Sequence, residues 1–346
     1  MEKNIILKLL FLGMLFSSLV GIEQANASEL KFSVDPILPE NQIDNSHTYF
    51  DLLVKPEQKQ KLTIHMKNTT NKPVTVETTV HAATTNLNGV VEYGDSNTSI
   101  DETAPYNIEE LVKPDEKEVT ILAGTEKDAN FTVTIPSKSY EGVLAGGITL
   151  QEKDAKTVSS EQKSNQGLAI ENKYAYVVAV LLSESSNPIK SDLQLTKVEP
   201  GQVNARNTIN TTIKNTKSKY ENKINIQTRI RKKGSDDILY HSEKEDMQIA
   251  PNTSLVYPTK LNGEKMEAGD YELEMDVSNN QQTWNFVKAF HIKGTTAEQF
   301  NKNDVSIKKS SIPKYYFIVG VIILVALILV IFYLKRKKKN SNLMND

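Results

Sequence analysis

From Ser28 to Lys314 apolar and polar positions alternate with period two in short runs. Clear cases are Lys61-Leu62-Thr63-Ile64-His65-Met66, Val74 to Val80, Asn130-Phe131-Thr132-Val133-Thr134-Ile135 and Tyr271-Glu272-Leu273-Glu274-Met275-Asp276-Val277. A strand presents alternate side chains to opposite faces, so each run predicts a half-buried β-strand. The runs are rich in Thr, Val and Ile, which suit a pleated surface, and turn-forming clusters separate them. Helical periodicity is almost absent. The prediction is an all-β chain of sandwich architecture.

The pattern occurs twice. Ile64-His65-Met66-Lys67-Asn68-Thr69 and Asn210-Thr211-Thr212-Ile213-Lys214-Asn215-Thr216 are each a strand running into Lys-Asn-Thr, a turn where the Asn side chain can cap its own backbone. Val119 to Gly124 matches Met247 to Asn252, and the next strand ends at Pro136 in one copy and Pro258 in the other. Tyr140-Glu141-Gly142 and Ala268-Gly269-Asp270-Tyr271 each resemble the tyrosine at a corner of immunoglobulin-like domains. Two tandem immunoglobulin-like β-sandwich domains follow, over residues 28–186 and 187–294, with a juxtamembrane linker over 295–314. The run Tyr174 to Leu182 is apolar on both faces and needs cover from two sides. It is expected to pair with Gly146-Gly147-Ile148-Thr149-Leu150 across the polar stretch Gln151 to Gln166, which reads as a loop.

The two ends read as export and anchoring. Lys3 and Lys8, the apolar run Leu9 to Val20 and Ala25-Asn26-Ala27 form a signal peptide over 1–27. Phe317 to Leu334 is unbroken apolar sequence, extended outward by Tyr315 and Tyr316, so that 315–334 predicts a single transmembrane helix across roughly 30 Å of hydrocarbon. Lys335 to Lys339 open a basic tail, 335–346, that the positive-inside rule leaves cytoplasmic. The expected location is the cell membrane, with the N-terminus extracellular and the folded part in the cell wall. No Leu-Pro-x-Thr-Gly motif precedes the apolar segment, where the residues are Ser310-Ser311-Ile312-Pro313-Lys314, so covalent sorting to the wall is not expected.

Charge and composition narrow the chemistry. The net charge is -2. Because the first 27 residues balance and the tail is strongly positive, the stretch between them is acidic, which argues against binding nucleic acid through counterion release. The chain has no cysteine, which removes disulfides, thiol nucleophiles and cysteine metal sites. The five histidines are scattered without metal-ligand spacing, and no nucleophile elbow, phosphate loop or Ser-x-x-Lys motif occurs. Gly142 to Gly147 precedes a strand and not a helix, so close backbone packing explains it better than phosphate binding. Acidic pairs such as Glu109-Glu110, Asp115-Glu116 and Asp236-Asp237 read as solvated loops. No catalytic residue, metal or cofactor is expected, and the chain reads as a binding module.

Two regions are candidates for binding. The insertion Ala82 to Glu110 carries Asn86, Asn88, Tyr93, Asn97, Tyr106 and Asn107, amides and rings of the kind that contact sugar hydroxyls and stack on sugars. An ordinary long loop would hold the same turn-forming residues. Tyr257 and Trp284 could anchor a protein interface, or simply fill the second core.

The whole pattern resembles the WxL-interacting proteins of Gram-positive bacteria. The matching residues are Phe32-Ser33-Val34-Asp35-Pro36-Ile37-Leu38-Pro39, Tyr49-Phe50-Asp51-Leu52, Lys67-Asn68-Thr69, Gly146-Gly147-Ile148 and the Tyr174 to Leu182 strand, in order over essentially the whole mature chain. The resemblance implies a peptidoglycan-binding domain, a domain that holds WxL-domain surface proteins, and a C-terminal membrane span. Family boundaries fall near Gln151 to Gln166, earlier than the structural boundary above, which puts the Tyr174 strand in dispute. A membrane-anchored adhesin facing host ligands is the alternative, and a wall-modifying enzyme a third reading that lacks a visible cleft.

Overall fold

Alternation translates directly into buried and exposed faces. A computed structural model of the chain describes residues 31–95, 100–153, 174–307 and 321–333. The expected signal peptide, the tail, Asn97, most of the polar loop and both ends of the expected span lie outside the described residues.

The first unit runs β1 (Phe32–Ile37), β2 (Phe50–Leu53), β3 (Lys59–Asn68), β4 (Val74–Ala82), β5 (Thr84–Thr85), β6 (Val91–Glu92), α1 (Ile108–Leu111), β7 (Val112–Pro114), β8 (Glu118–Ile121), β9 (Glu126–Thr134), β10 (Val143–Glu152) and β11 (Ala175–Ser183). One sheet has the order β1-β3-β9-β7 and the other β2-β11-β10-β4-β8. Leu62, Ile64 and Met66 of β3 and Phe131 and Val133 of β9 point inward, meeting Phe50, Leu52, Ile148, Leu150, Val180 and Leu182 from the facing sheet. Each such side chain contributes about 1.5–3 kcal/mol by leaving water.

The second unit runs β12 (Leu193–Val203), β13 (Arg206–Asn215), β14 (Glu221–Lys232), β15 (Ile238–Ile249), β16 (Ser254–Lys260), β17 (Gly269–Ser278), β18 (Thr283–Ile292) and α2 (Gly294–Asn303). Its sheets are β12-β13-β16 and β15-β14-β17-β18, closed over Ile209, Ile213, Ile226, Leu255, Leu273 and Met275. The described part of the chain is therefore all-β apart from short helices.

The Lys-Asn-Thr repeat is a structural equivalence. Asn68 and Asn215 have no exposed surface. Asn68 Nδ2 donates to the carbonyls of Lys72 at 2.7 Å and of Ile121 and Leu122 at 3.1 Å, while its Oδ1 accepts from Thr70 N. Asn215 Nδ2 donates to Lys219 O at 2.7 Å and Ala250 O at 3.0 Å, and its Oδ1 accepts from Lys217 N. Each amide ties a strand end to the end of the strand that the repeat aligned with it. The two tyrosines differ. Tyr271 Oη donates to Glu267 O, four residues upstream, as a tyrosine corner does, whereas Tyr140 Oη donates to Leu182 O on β11.

β11 pairs antiparallel with β10 from Val143↔Ser183 to Gln151↔Ala175 and parallel with β2 from Val180↔Phe50 to Ser183↔Leu53. The Tyr174 to Leu182 run thus lies inside a sheet of the first unit, with Val178, Val180 and Leu182 in its core. Leu181 points the other way, against residues of both units.

Residues 295–307, read from sequence as the start of a linker, are folded onto the second unit. Ala297 of α2 is buried and Phe300 packs on the core. The Asp304 carboxylate accepts from Asn207 N at 2.7 Å, and Asn301 bridges Asn207 and Met266. Asp304 is drawn up by burial, but its bonds from Ser306, Asn207 and Ile307 more than offset this and hold it below the usual carboxylate range. Residues 321–333 form α3, with every side chain exposed. Among the described residues no helix is long and apolar enough to cross a membrane.

Candidate functional site

The insertion Ala82 to Glu110 is built at its root by short-range polar chemistry. Asn86 Oδ1 accepts from the amides of Asn88 and Val90, which closes the β5–β6 hairpin, and its Nδ2 donates to Glu92. Asn107 caps α1 by accepting from Glu109 N at 2.9 Å. Tyr106 donates to Lys138 O and meets the Tyr140 ring edge-on at 5.9 Å.

The tip of the insertion is a bridge to the second unit. Gly89 O accepts from Gln248 N at 2.7 Å, Asn88 O from Lys244 Nζ at 2.9 Å, and Thr85 Oγ1 from Ala250 N at 2.9 Å. Thr85 also meets Thr253, and Asn252 Nδ2 donates to Thr103 O. Ala83, Ala145 and Ala250 form a small core at the junction, flanked by Val91, Tyr93, Leu181 and Tyr220. Small side chains let the backbones approach. Gly147 serves the same end, because a Cβ there would lie 2.5 Å from Tyr93 Cβ. The glycine run of β10 is thus a packing device.

Two polar contacts at the junction are sheltered. The Tyr93 and Tyr220 hydroxyls lie 3.0 Å apart, and burial, with Tyr93 beside it, pushes the Tyr220 phenol well above its ordinary range. Lys214 Nζ lies 2.9 Å from Asp101, with both side chains largely covered. Burial raises the Asp101 carboxyl, but Lys214 and the bonds from Thr103 outweigh it and hold the group below the usual carboxylate range.

Two hollows flank the Asp101 to Tyr106 segment where the units meet. One, of about 240 Å³, is lined by Thr84, Thr85, Ala104, Glu109, Ala145 and Asn252 among others. The second is a more open cleft of about 580 Å³, and four chain segments wall it. They are Thr103 to Tyr106, Lys138 to Glu141, Pro188 to Lys190 and Thr216 to Ser218. Its size falls within the range of small-ligand sites, which cluster at domain interfaces. Among the described residues no group of three or more His, Cys, Asp or Glu could hold a metal ion.

The residues singled out from sequence are thus dispersed by role. Asn86, Tyr93 and Asn107 use their side chains inside the protein, as turn, junction and cap, and Asn88 contributes its carbonyl to the junction while its side chain is exposed. Tyr106 remains at a cleft wall. Tyr257 is 2% exposed, with its hydroxyl on Ser242 at 2.8 Å, so its ring gives a partner no surface. Trp284 is half-buried against the second core. The sequence reading passed over Lys138, Lys190 and Lys217, which come from separate segments and share no linear motif.

Two family models match consecutive parts of the chain. Residues 32–152 match the peptidoglycan binding domain of the WxL Interacting Protein, and residues 165–302 match its host binding domain. The chain belongs to the WxL-interacting protein family. As a WxL-interacting protein it is a cell-surface binding protein, and both matched models describe binding domains. The second match begins ahead of β11, so it takes in a strand that the structure builds into the first unit's sheet. No curated protein matches the chain.

Among solved structures, a chain from the CsuC-CsuE chaperone-tip adhesion subunit complex of Acinetobacter baumannii is 11% identical, with TM-score 0.32 over 66% of this WxL-interacting protein and 90% of that chain. The Pseudomonas aeruginosa CupB2 chaperone is 9% identical, with TM-score 0.28 over 69% and 96%. The E. coli chaperone DraB is 12% identical, with TM-score 0.28 over 76% and 98%. Scores this low give the likenesses no weight.

Proposed function

We propose that this protein is a membrane-anchored scaffold that binds peptidoglycan through its first unit and, through its second, tethers WxL-domain surface proteins at the Gram-positive wall. The observation that carries the reading is the order of the two family matches along one chain, with the apolar segment and basic tail after them. A cleaved signal peptide and a single span over 315–334 fit this order. Both units are read as immunoglobulin-like, which the facing sheets and the Tyr271 corner bond support. The proposed structural boundary lies near Ser185 to Pro188, after β11.

The test is sedimentation of the full chain with purified sacculi, followed by capture of a purified WxL-domain protein on the loaded sacculi. Retention in both steps is expected. Failure to sediment overturns the wall-binding role, and sedimentation without capture overturns the tether. A second reading, an adhesin whose second unit meets host ligands, is favoured by the host binding description of the second match. Binding of host matrix proteins by sacculus-loaded chain, with no capture of WxL-domain proteins, would select it.

A further inference from the structure

We infer that the 580 Å³ cleft between the units is a binding site for a short peptide ending in a free carboxylate. The inference deepens the peptidoglycan reading and rests on it, because wall stem peptides have that chemistry.

Three features of the cleft point to such a ligand. The first is charge. Lys138, Lys190 and Lys217 line the cleft against a single acidic lining residue, Glu141. All three lysines are exposed, and none has an ion partner among the described residues. By contrast, Lys67 and Lys61 on the first unit's outer face are paired, Lys67 at 2.8 Å from Glu126 and Lys61 at 3.3 Å from Asp115. A cleft in which one sign of charge predominates focuses field onto an ion of the other sign.

The second feature is the wall between the charges. Pro105, Pro188, Ile189 and Tyr106 supply apolar surface, and Ser139 supplies a hydroxyl. A bare inorganic anion would leave that surface unused, whereas a peptide of two or three residues covers it. The volume suits a ligand of that size.

The third is preorganisation from both sides. Tyr106 Oη holds Lys138 O at 2.9 Å, Asn252 N donates to Lys217 O at 3.0 Å, and Val143 N donates to Ser218 O at 2.8 Å. Because the backbones at Lys138, Lys217 and Ser218 are already held, a ligand has little ordering left to impose on those two walls. The cleft exists only where the units meet, so neither family domain contains it whole.

The experiment titrates the full chain with Nα-acetyl-Lys-D-Ala-D-Ala and with the same peptide as its C-terminal amide. Two triple variants are compared: Lys138→Gln, Lys190→Gln and Lys217→Gln at the cleft, and Lys72→Gln, Lys113→Gln and Lys233→Gln elsewhere, with the same change in net charge. All six lysines are exposed, so folding is preserved. The acid peptide should bind, the amide and the cleft variant should each lose roughly tenfold in affinity, and the control variant should stay close to wild type. No binding of the acid peptide, equal binding of acid and amide, or equal losses in the two variants overturns the inference. Sedimentation with sacculi is scored in parallel. A chain that sediments but ignores the peptide sinks the cleft and leaves the wall reading standing. A chain that binds the peptide through the three lysines but does not sediment does the reverse.

Discussion

Replacing Gly142 with alanine should unfasten the two units from each other. Gly142 has φ +83, and a Cβ there would overlap the Ser218 carbonyl oxygen and come within 2.5 Å of Ile189 Cδ1. Two costs therefore combine. An L-residue in the left-handed region costs about 1–2 kcal/mol. The Ser218 carbonyl must also withdraw, which leaves the Val143 N–H without its 2.8 Å acceptor and costs about 1–3 kcal/mol more. Gly124 isolates the first cost, because it has φ +67 and nothing lies within 4 Å of its added Cβ. The difference between the variants is the junction contribution, roughly a 5- to 150-fold change in an opening constant. Hydrogen exchange reads it directly at Val143, Gln248 and Ala250, whose amides bond across the junction. Gly142→Ala should accelerate all three by about 5- to 150-fold, while Gly124→Ala lowers stability without touching them. Equal protection of those amides in the two variants would refute the reasoning.

Other consequences are smaller in scope. Asn68→Ala and Asn215→Ala should each cost about 2–4 kcal/mol in chemical denaturation, because each strands several buried backbone groups. The loss should appear in the first unit for one and the second for the other. Asp304→Ala should cost about 1–3 kcal/mol by leaving the buried Asn207 N–H unpaired, and should release α2 to protease before the sheets unfold. Acid should loosen the junction: the Asp101 carboxyl is held below its ordinary value, so its stabilisation is present above about pH 4 and is lost as pH falls through the folded value. Asp101→Asn should remove that acid-dependent step from the exchange of the Gln248 amide. Protease added to intact, wall-stripped cells should degrade the folded units and spare an epitope placed after Lys339; loss of the epitope would overturn the proposed topology.

The strands were legible because one face of each is wet, which writes the sheet into the sequence as alternation. Asn68 and Asn215 were legible for a local reason: each amide serves a turn within a few residues, and the same three-residue signal marks both. Other features depend on partners far away in the chain. Tyr93 read as a sugar-stacking ring, yet its partner Tyr220 lies 127 residues on. The three cleft lysines meet only after both units fold. α2 was missed because its sequence is mostly polar, with Ala297 and Phe300 facing the core, and because its anchor Asp304 acts through Asn207, 97 residues earlier. The pairing of the Tyr174 strand with β10 could be expected from its two-sided apolarity, but that its second side is covered only at the Leu181 end, beside Tyr93 and Tyr220, while Val177 stays exposed, could not.

The place of β11 governs where this chain can be divided. β2 joins its sheet through β11, so the two strands leave together. A cut at residue 165, where the second family match begins, would strip the five-stranded sheet to three strands and uncover Phe50, Leu52, Ile148 and Leu150. The other piece would carry an apolar strand with no sheet to enter. The same logic would govern the proposed export: a chain that emerged from its N-terminus would leave the first unit open, with β2 lacking its sheet neighbour, until Ser183 had crossed the membrane.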